Sequence, residues 1–281
     1  MPSSRKNNPW ASRAACCLCL ALLLFACCPA LAQQADTTAA DNGAKARALL
    51  DAMIKALGGE RWLDLDNWHT DGRTAGFYQG KPTGDTLQFF NFSRAVTDAQ
   101  GHRAVQERVE LSRKRDVVEL FRDGNAYELT FKGKDELPKE VVQDYYMRRA
   151  HSIDAIAHLW RNNPQTLYLY EGQSMVERHL ADKITMISAG NLSTTLELDA
   201  SSHLPLRLSF SVQNALYGDK DDIAEEYDDY HDVQGFPTAF TVSRYKNGDL
   251  VTQRFLTHAS YGDAGDPLLY DLEHTERAKR K

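Results

Sequence analysis

Apolar and polar residues alternate through much of this chain, and the alternation is clearest in its C-terminal half. Between residues 204 and 213 one set of alternate positions is polar, and the other set is apolar, consisting of Leu204, Leu206, Leu208, Phe210 and Val212. This pattern is typical of an antiparallel sheet with one face on the core and the other in water. It predicts that Leu206 and Leu208 face the core and that Arg207 faces solvent.

Two blocks of strands are predicted from this periodicity and from the turn residues between the apolar runs. The N-terminal block has strands at residues 66–78, 85–95, 103–114, 116–122 and 125–132. The C-terminal block has strands at residues 166–172, 175–188, 192–199, 204–213, 223–233, 238–246 and 250–260. Asp123-Gly124 and Asn247-Gly248 are the strongest hairpin signals, because both dipeptides suit turns with positive φ.

Helical periodicity occurs before the first block of strands and again between the two blocks. Residues 44–57 have apolar side chains spaced three and four apart, and Gly58-Gly59 ends this predicted helix. Residues 139–162 form a second helical region, which is bounded by prolines and split at Ser152. The apolar stripe of this central region includes Tyr145, Ile153, Ile156 and Trp160.

These elements predict an α+β fold in a single domain spanning residues 44–262. An antiparallel sheet with this many strands usually curls, and here its apolar side would wrap around the helices. We therefore expect a long curved sheet that forms an open half-barrel, with the N-terminal helix and a central helical lid on its concave face. Residues 263–281 are interpreted as a C-terminal tail.

The N-terminus has the pattern of a secretory signal peptide over residues 1–32. All five cysteines lie between Cys16 and Cys28, in a short apolar stretch that follows basic residues and precedes Ala30-Leu31-Ala32. Cleavage after Ala32 would leave a periplasmic chain without thiols, and residues 33–43 would form a flexible segment before the domain. The alternative is lipoprotein processing at Cys27, which would anchor the protein to the outer membrane.

Charge and motifs exclude several classes of function. The formal charge of the whole chain is −6, and removing the leader's three basic residues makes it −9. Nucleic-acid binding depends on cations that neutralise phosphates, so an acidic chain argues against it. No nucleophile motif or phosphate loop occurs, and the spacing of the acidic residues 219–232 matches no calcium loop. We expect no enzyme activity, cofactor or metal. His151 and His158 flank Asp154, but a structural role for them is the simpler interpretation.

Several structural signatures together resemble the outer-membrane lipoprotein-sorting-protein-like family of bacterial envelope proteins, which has the LolA/LppX-type fold. They are Leu57-Gly58-Gly59, Trp68-His69-Thr70-Asp71-Gly72, Tyr170-Glu171-Gly172, Leu204-Pro205-Leu206-Arg207-Leu208, Tyr227-Asp228-Asp229-Tyr230, Gly235-Phe236-Pro237 and Lys246-Asn247-Gly248. The resemblance implies a half-barrel whose helical lid encloses an apolar cavity for acyl chains. It also implies a lipid or lipoprotein carrier, and no ligand-binding residue of the family maps to a definite position here.

The candidate ligand-binding residues are apolar side chains predicted to face the concave side. They are Phe89, Tyr145, Ile153, Ile156, Trp160, Leu196, Leu206, Leu208, Phe210 and Phe240. Alternation alone does not separate a filled core from a cavity lining, because both use the same residue types. The first hypothesis is a monomeric periplasmic carrier or chaperone for a lipid, a lipoprotein acyl chain or another apolar ligand. The alternative is an envelope sensor or interaction module that binds a partner protein, and an enzyme is the third option.

Overall fold

The computed structural model describes residues 28–84, 86–99, 101–213 and 218–273, and it contains one long antiparallel sheet. Fourteen strands are β1 (Asn67–Tyr78), β2 (Lys81–Pro82), β3 (Leu87–Thr97), β4 (Arg103–Leu111), β5 (Val117–Arg122), β6 (Asn125–Thr130), β7 (Gly133–Glu136), β8 (Leu167–Val176), β9 (His179–Ile187), β10 (Ser193–Asp199), β11 (Pro205–Gln213), β12 (Lys220–Val233), β13 (Phe236–Lys246) and β14 (Asp249–Tyr261). The helices are α1 (Cys28–Leu57), α2 (Glu60–Leu63), α3 (Lys139–Ala150) and α4 (Ile153–Ala155), with a π-helical turn (Ile156–Trp160) after α4 and a 3-10 turn at Pro267–Tyr270.

The sheet is an open half-barrel, as the sequence predicted. Its strand order is β7-β6-β5-β4-β3-β1-β14-β13-β12-β11-β10-β9-β8, with β2 paired only to β1. The last strand therefore returns to pair with the first, so each block of strands forms one half of the sheet. The central helices connect the free edges β7 and β8, and we call residues Lys139–Trp160 the lid.

Helix α1 differs from its predicted bounds at one end only. It begins at Cys28 rather than at residue 44, and it runs through residues 33–43, which we expected to be flexible. Its C-terminus is where Gly58-Gly59 predicted it. Gly58 has φ of 131°, and a Cβ on it would lie 2.7 Å from the Phe236 ring, so this position requires glycine. Among the described residues, no helix is long and apolar enough to cross a bilayer.

The middle of α1 lies along the edge strand β8. The Asn42 side chain makes two hydrogen bonds to the backbone of Tyr170: its Nδ2 donates to the carbonyl, and its Oδ1 accepts from the amide, both at 2.7 Å. Lys45 lies 3.6 Å from the centre of the Tyr170 ring, and Arg47 lies 4.7 Å from that of Tyr168. These contacts fix α1 to the edge of the C-terminal half of the sheet.

The larger apolar cluster lies between α1, the lid and strands β9–β12, and we call it the first cluster. The face of the sheet that it covers is the concave face. Its buried members are Ala46, Leu49, Leu50, Met53, Ile54, Leu57, Ile156, Ala157, Trp160, Ile184, Met186, Leu196, Leu198, Leu208, Phe210 and Ile223. Arg207, which alternates with Leu208, points to the other face, where it lies 3.7 Å from Glu226.

Truncating Leu208 tests this packing. Leu208 is almost fully buried in the first cluster, so Leu208→Ala removes apolar contacts and leaves a cavity. We expect it to lower the free energy of unfolding by about 2–5 kcal/mol in urea denaturation. Arg207→Ala is the matched control on the opposite face and should cost less than about 1 kcal/mol. Equal losses for the two variants would show that the assigned faces are wrong.

A second apolar cluster lies on the concave face of the N-terminal half and is covered by α3. Its buried members are Phe89, Val109, Phe121, Ala126 and Tyr145. The rings of Phe121 and Tyr145 stack with their centres 3.8 Å apart. The lid therefore contacts both halves of the sheet, through Tyr145 on one side and through Ile156 and Trp160 on the other.

The C-terminal segment differs from the expected tail, because its described part packs on the outer face of the N-terminal half. Leu269 and Tyr270 are buried against Val118, Leu120 and Leu129. Below them lie Arg108 and Glu110, whose side chains are fully buried and form an ion pair at 2.9 Å. Arg108 also donates to the carbonyl of Leu269 at 3.1 Å, so the segment provides a partner for a buried cation.

Candidate functional site

Six of the ten candidate ligand-binding residues meet at the first cluster. Ile156, Trp160, Leu196, Leu208 and Phe210 are buried within it, and Ile153 packs against it. Because these side chains contact one another, the closed lid fills this part of the concave face. They are therefore core residues in this conformation, and they would line a ligand site only after the lid moves.

The other four candidates lie elsewhere. Phe89 and Tyr145 belong to the second cluster. Phe240 lies against His231, with ring centres 4.5 Å apart. Leu206 does not face the core as predicted. The pairing of β10 with β11 shifts register beside it, between Glu197↔Arg207 and Leu198↔Pro205, so Leu206 and Leu208 face opposite sides of the sheet.

Leu206 lines a polar cleft of about 340 Å³ instead, together with Glu177, His179, Glu226 and Tyr245. Glu226 alternates with the inward-facing Glu225 along β12, so this cleft belongs to the outer side of the sheet. Burial, followed by a hydrogen bond with Glu226, raises the pKa of Tyr245. The cleft is thus separate from the surface that the lid covers.

Polar contacts also hold the lid to the sheet at the first cluster. His151 Nδ1 lies 2.5 Å from Thr194 Oγ1, and the His151 ring stacks on Phe210 with centres 4.1 Å apart. Burial lowers the pKa of His151 to about 4, so its imidazole is neutral at pH 7. The indole of Trp160 donates to the carbonyl of Ala150 at 3.0 Å. The hydroxyl of Tyr168 on β8 donates to the carbonyl of Trp160 at 3.3 Å.

Asp154 organises the outer side of the lid. Its carboxylate lies 3.3 Å from Arg149, 3.6 Å from Arg103 on β4, and 3.5 Å from His158. His151, by contrast, is bonded to Thr194 on the sheet side. His151 thus contacts the sheet, whereas His158 contacts Asp154 within the lid. The described residues include no group of three side chains suited to holding a metal ion.

Charged and phenolic side chains occupy the middle of the concave face, between the two apolar clusters. We call them the central polar cluster; they are Glu107, Tyr145, Arg148, Glu225, Tyr227, Arg244 and Arg254. The Tyr145 hydroxyl donates to Glu107 at 3.0 Å. Glu225 accepts hydrogen bonds from Arg244 at 3.1 Å and from the Tyr227 hydroxyl at 3.0 Å.

The field inside the central polar cluster is set by its arginines. Burial acts to raise the pKa of Glu225, but the charges of Arg244 and Arg148 and the hydrogen bonds from Tyr227 and Arg244 together outweigh it, so the pKa is lowered. Burial raises the pKa of Tyr227 well above its usual value, and the Glu225 charge adds to this effect. Glu225 is therefore ionised and Tyr227 is a neutral donor at physiological pH.

Sequence reasoning missed this cluster, although a signal for it exists. Ile223, Glu225 and Tyr227 occupy alternate positions of β12, and Val242 and Arg244 occupy alternate positions of the neighbouring β13. On each of these two strands, the side that faces the concave surface thus includes one charged residue among apolar or aromatic ones. Inward-facing charges within an amphipathic strand are rare without a partner or a function.

Comparison with solved structures identifies the fold. The structure aligns with a domain assigned to the outer membrane lipoprotein-sorting proteins of Vibrio parahaemolyticus at a TM-score of 0.54, with 8% identity over 83% of this chain and 100% of that one. It aligns with a DUF1329 family protein from Desulfovibrio piger at a TM-score of 0.54, with 11% identity over 80% of this chain and 97% of that one. No protein-family model matches the sequence, and a search of curated proteins gives no match.

These two alignments cover most of the chain, so the likeness extends to the whole half-barrel. The protein has the fold of this lipoprotein-sorting protein domain, as the sequence resemblance implied. At this level of identity the comparison establishes the fold alone, and the function has to be argued from the surfaces of this chain.

Proposed function

We propose that this protein is a non-enzymatic periplasmic carrier or chaperone that binds a lipid, a lipoprotein acyl chain or another apolar ligand on its concave face. In this proposal a cleaved signal peptide exports the chain, which then acts as a monomer. Residues 1–27 of the leader, including the alternative lipidation site Cys27, lie outside the described residues.

The observation that carries the proposal is the composition of the first cluster. Ile156, Ala157 and Trp160 of the lid share one apolar cluster with Leu196, Leu208 and Phe210 of the sheet. An acyl chain can replace such contacts with equally apolar ones, at about 0.8 kcal/mol per buried methylene. The lid connects the two halves of the sheet, so it can move without breaking a strand ladder.

Movement of the lid is testable through Trp160. We expect the fluorescence of Trp160 to change when a long-chain fatty acid is titrated into the protein, because the ligand displaces the lid from the concave face. Trp62 and Trp68 also emit, so the Trp160→Phe variant supplies the background signal. Fatty-acid binding established by calorimetry, with no change in the Trp160 component, would rule out the lid as the moving element.

An interaction module for an envelope protein is the second candidate, and one surface favours it. Leu167, Leu169 and Met175 point outward from the edge strand β8 and are largely exposed. Apolar side chains on a sheet edge are a common feature of protein-binding surfaces. A stable complex with a partner protein, formed without lipid and lost on changing these leucines to serine, would favour this alternative.

A further inference from the structure

Arg254 differs from the other charged residues of the central polar cluster, because no described carboxylate lies within ion-pair distance of it. It projects from β14 to the concave face, opposite Val242 on β13 and Thr74 on β1. Its guanidinium lies over the Phe89 ring, whose centre is 5.0 Å from the guanidinium carbon. Only part of its side chain is exposed.

The nearby carboxylates are already engaged. Glu107 accepts a hydrogen bond from Tyr145, and Glu225 accepts from both Arg244 and Tyr227. Both carboxylates act on Arg254 through their fields, without a hydrogen bond to it. Burial, followed by repulsion from Glu128, raises the pKa of Glu119; the charge of Arg254 opposes this rise without reversing it, so Glu119 is a weakened counter-ion.

Two other arginines increase the positive potential at this point. Arg244 lies diagonally across from Arg254 on the neighbouring strand, and Arg148 lies on the lid above. Burial lowers the pKa of Arg254, and the charges of Arg244 and Arg148 lower it further. A guanidinium remains protonated in proteins, so this environment makes an additional anion favourable.

The position of Arg254 also restricts what that anion is attached to. The second apolar cluster begins at Phe89, directly beneath the guanidinium, and Tyr227 connects the other side to the first cluster. A small anion would use only the centre of this surface. A molecule with an anionic end and a long apolar chain would use both the arginines and the apolar residues that the lid covers.

We infer that Arg254, supported by Arg244 and Arg148, is the headgroup subsite of the concave face and binds the carboxylate or phosphate of an anionic amphiphile. This inference rests on the proposed function and names its ligand class. A guanidinium binds such groups with two parallel hydrogen bonds. Formation of that pair would satisfy the one arginine of the cluster that has no carboxylate partner among the described residues.

The test compares hexadecanoate with its methyl ester, which has the same chain and no charge. We expect the mature wild-type protein to bind the acid about tenfold to a hundredfold more tightly, as measured by calorimetry below the micellar concentration, because a hydrogen bond to a charged group contributes at this level. Arg254→Met should weaken binding of the acid by most of that factor and leave binding of the ester unchanged. Arg207→Met, on the outer face, should keep the full preference.

Each other result has a definite meaning. Equal affinities for acid and ester in the wild type, or a full preference in Arg254→Met, would overturn the headgroup subsite and leave the carrier proposal intact. Failure of both compounds to bind would overturn both. Displacement of the acid by inorganic phosphate at a similar concentration would show a free-anion site and overturn the amphiphile. If Arg254→Met does not fold, Arg254→Lys is the variant to test. Lysine keeps the positive charge but cannot form the two parallel hydrogen bonds, so this variant should retain only part of the preference for the acid over the ester.

Discussion

Replacing Glu110 with glutamine is expected to lower the free energy of unfolding by about 3–5 kcal/mol. The two carboxylate oxygens of Glu110 accept from Arg108 Nε at 2.9 Å and from Arg115 Nε at 2.6 Å. The side chains of Arg108 and Glu110 have no exposed surface. Glutamine keeps the shape but removes the negative charge, so two guanidinium groups would remain buried beside a neutral amide. Urea denaturation of both proteins measures the loss.

The matched control changes a carboxylate in an exposed ion pair of similar length. Asp51 lies 2.8 Å from Arg161 Nε, and its side chain is 49% exposed. Water screens and replaces such an interaction, so Asp51→Asn should cost less than about 1 kcal/mol. A loss at Glu110 no larger than that at Asp51 would mean that the buried ion pair does not stabilise the fold.

Acid should destabilise this protein through His151. Its pKa is about 4 in the folded protein because of burial, against an ordinary value of 6.5. The unfolded chain therefore takes up the proton first as the pH falls. The stability that the neutral imidazole contributes is complete above pH 6.5 and is lost as the pH falls towards 4, by roughly 3 kcal/mol in total.

A variant that does not titrate isolates this effect. His151→Gln retains a hydrogen-bonding group for Thr194, and it should lose less stability than the wild type between pH 6.5 and pH 4 by about that 3 kcal/mol. His102 is largely exposed, so His102→Gln should follow the wild-type profile. Parallel profiles of wild type and His151→Gln in chemical denaturation would exclude His151 as the source of acid sensitivity.

Local pattern was sufficient to predict most of the strands and their turns. Asp123-Gly124 connects β5 to β6 with φ of 54° and 79°, and Asn247-Gly248 connects β13 to β14 with φ of 53° and 85°. Both dipeptides tolerate the positive φ that a two-residue hairpin turn requires. One hairpin was misplaced: β8 extends to Val176, and the turn follows at Glu177, which has φ of 52°. Glutamate is an uncommon residue at positive φ, so composition did not indicate that turn.

The central polar cluster depends on pairings that no local pattern contains. Arg254 reaches the middle of the concave face because β14 pairs with β1 as well as with β13. The packing of Leu269 and Tyr270 is similar, since it depends on two buried charges about 160 residues earlier in the chain, as the Arg108–Leu269 hydrogen bond indicates. In both cases residues distant in sequence form the surroundings of a charged side chain, and alternation specifies only which face each residue occupies.

The paired hydrogen bonds of Asn42 determine how this sheet ends. An open sheet has two free edges, and a free edge can add a strand from another molecule and so begin aggregation. At Tyr170 the amide of Asn42 takes the place that the peptide group of such a strand would occupy. The opposite edge, β7, is only Gly133–Glu136 and includes Lys134, Asp135 and Glu136, which discourage pairing. The sheet can thus remain an open half-barrel while its edges resist polymerisation.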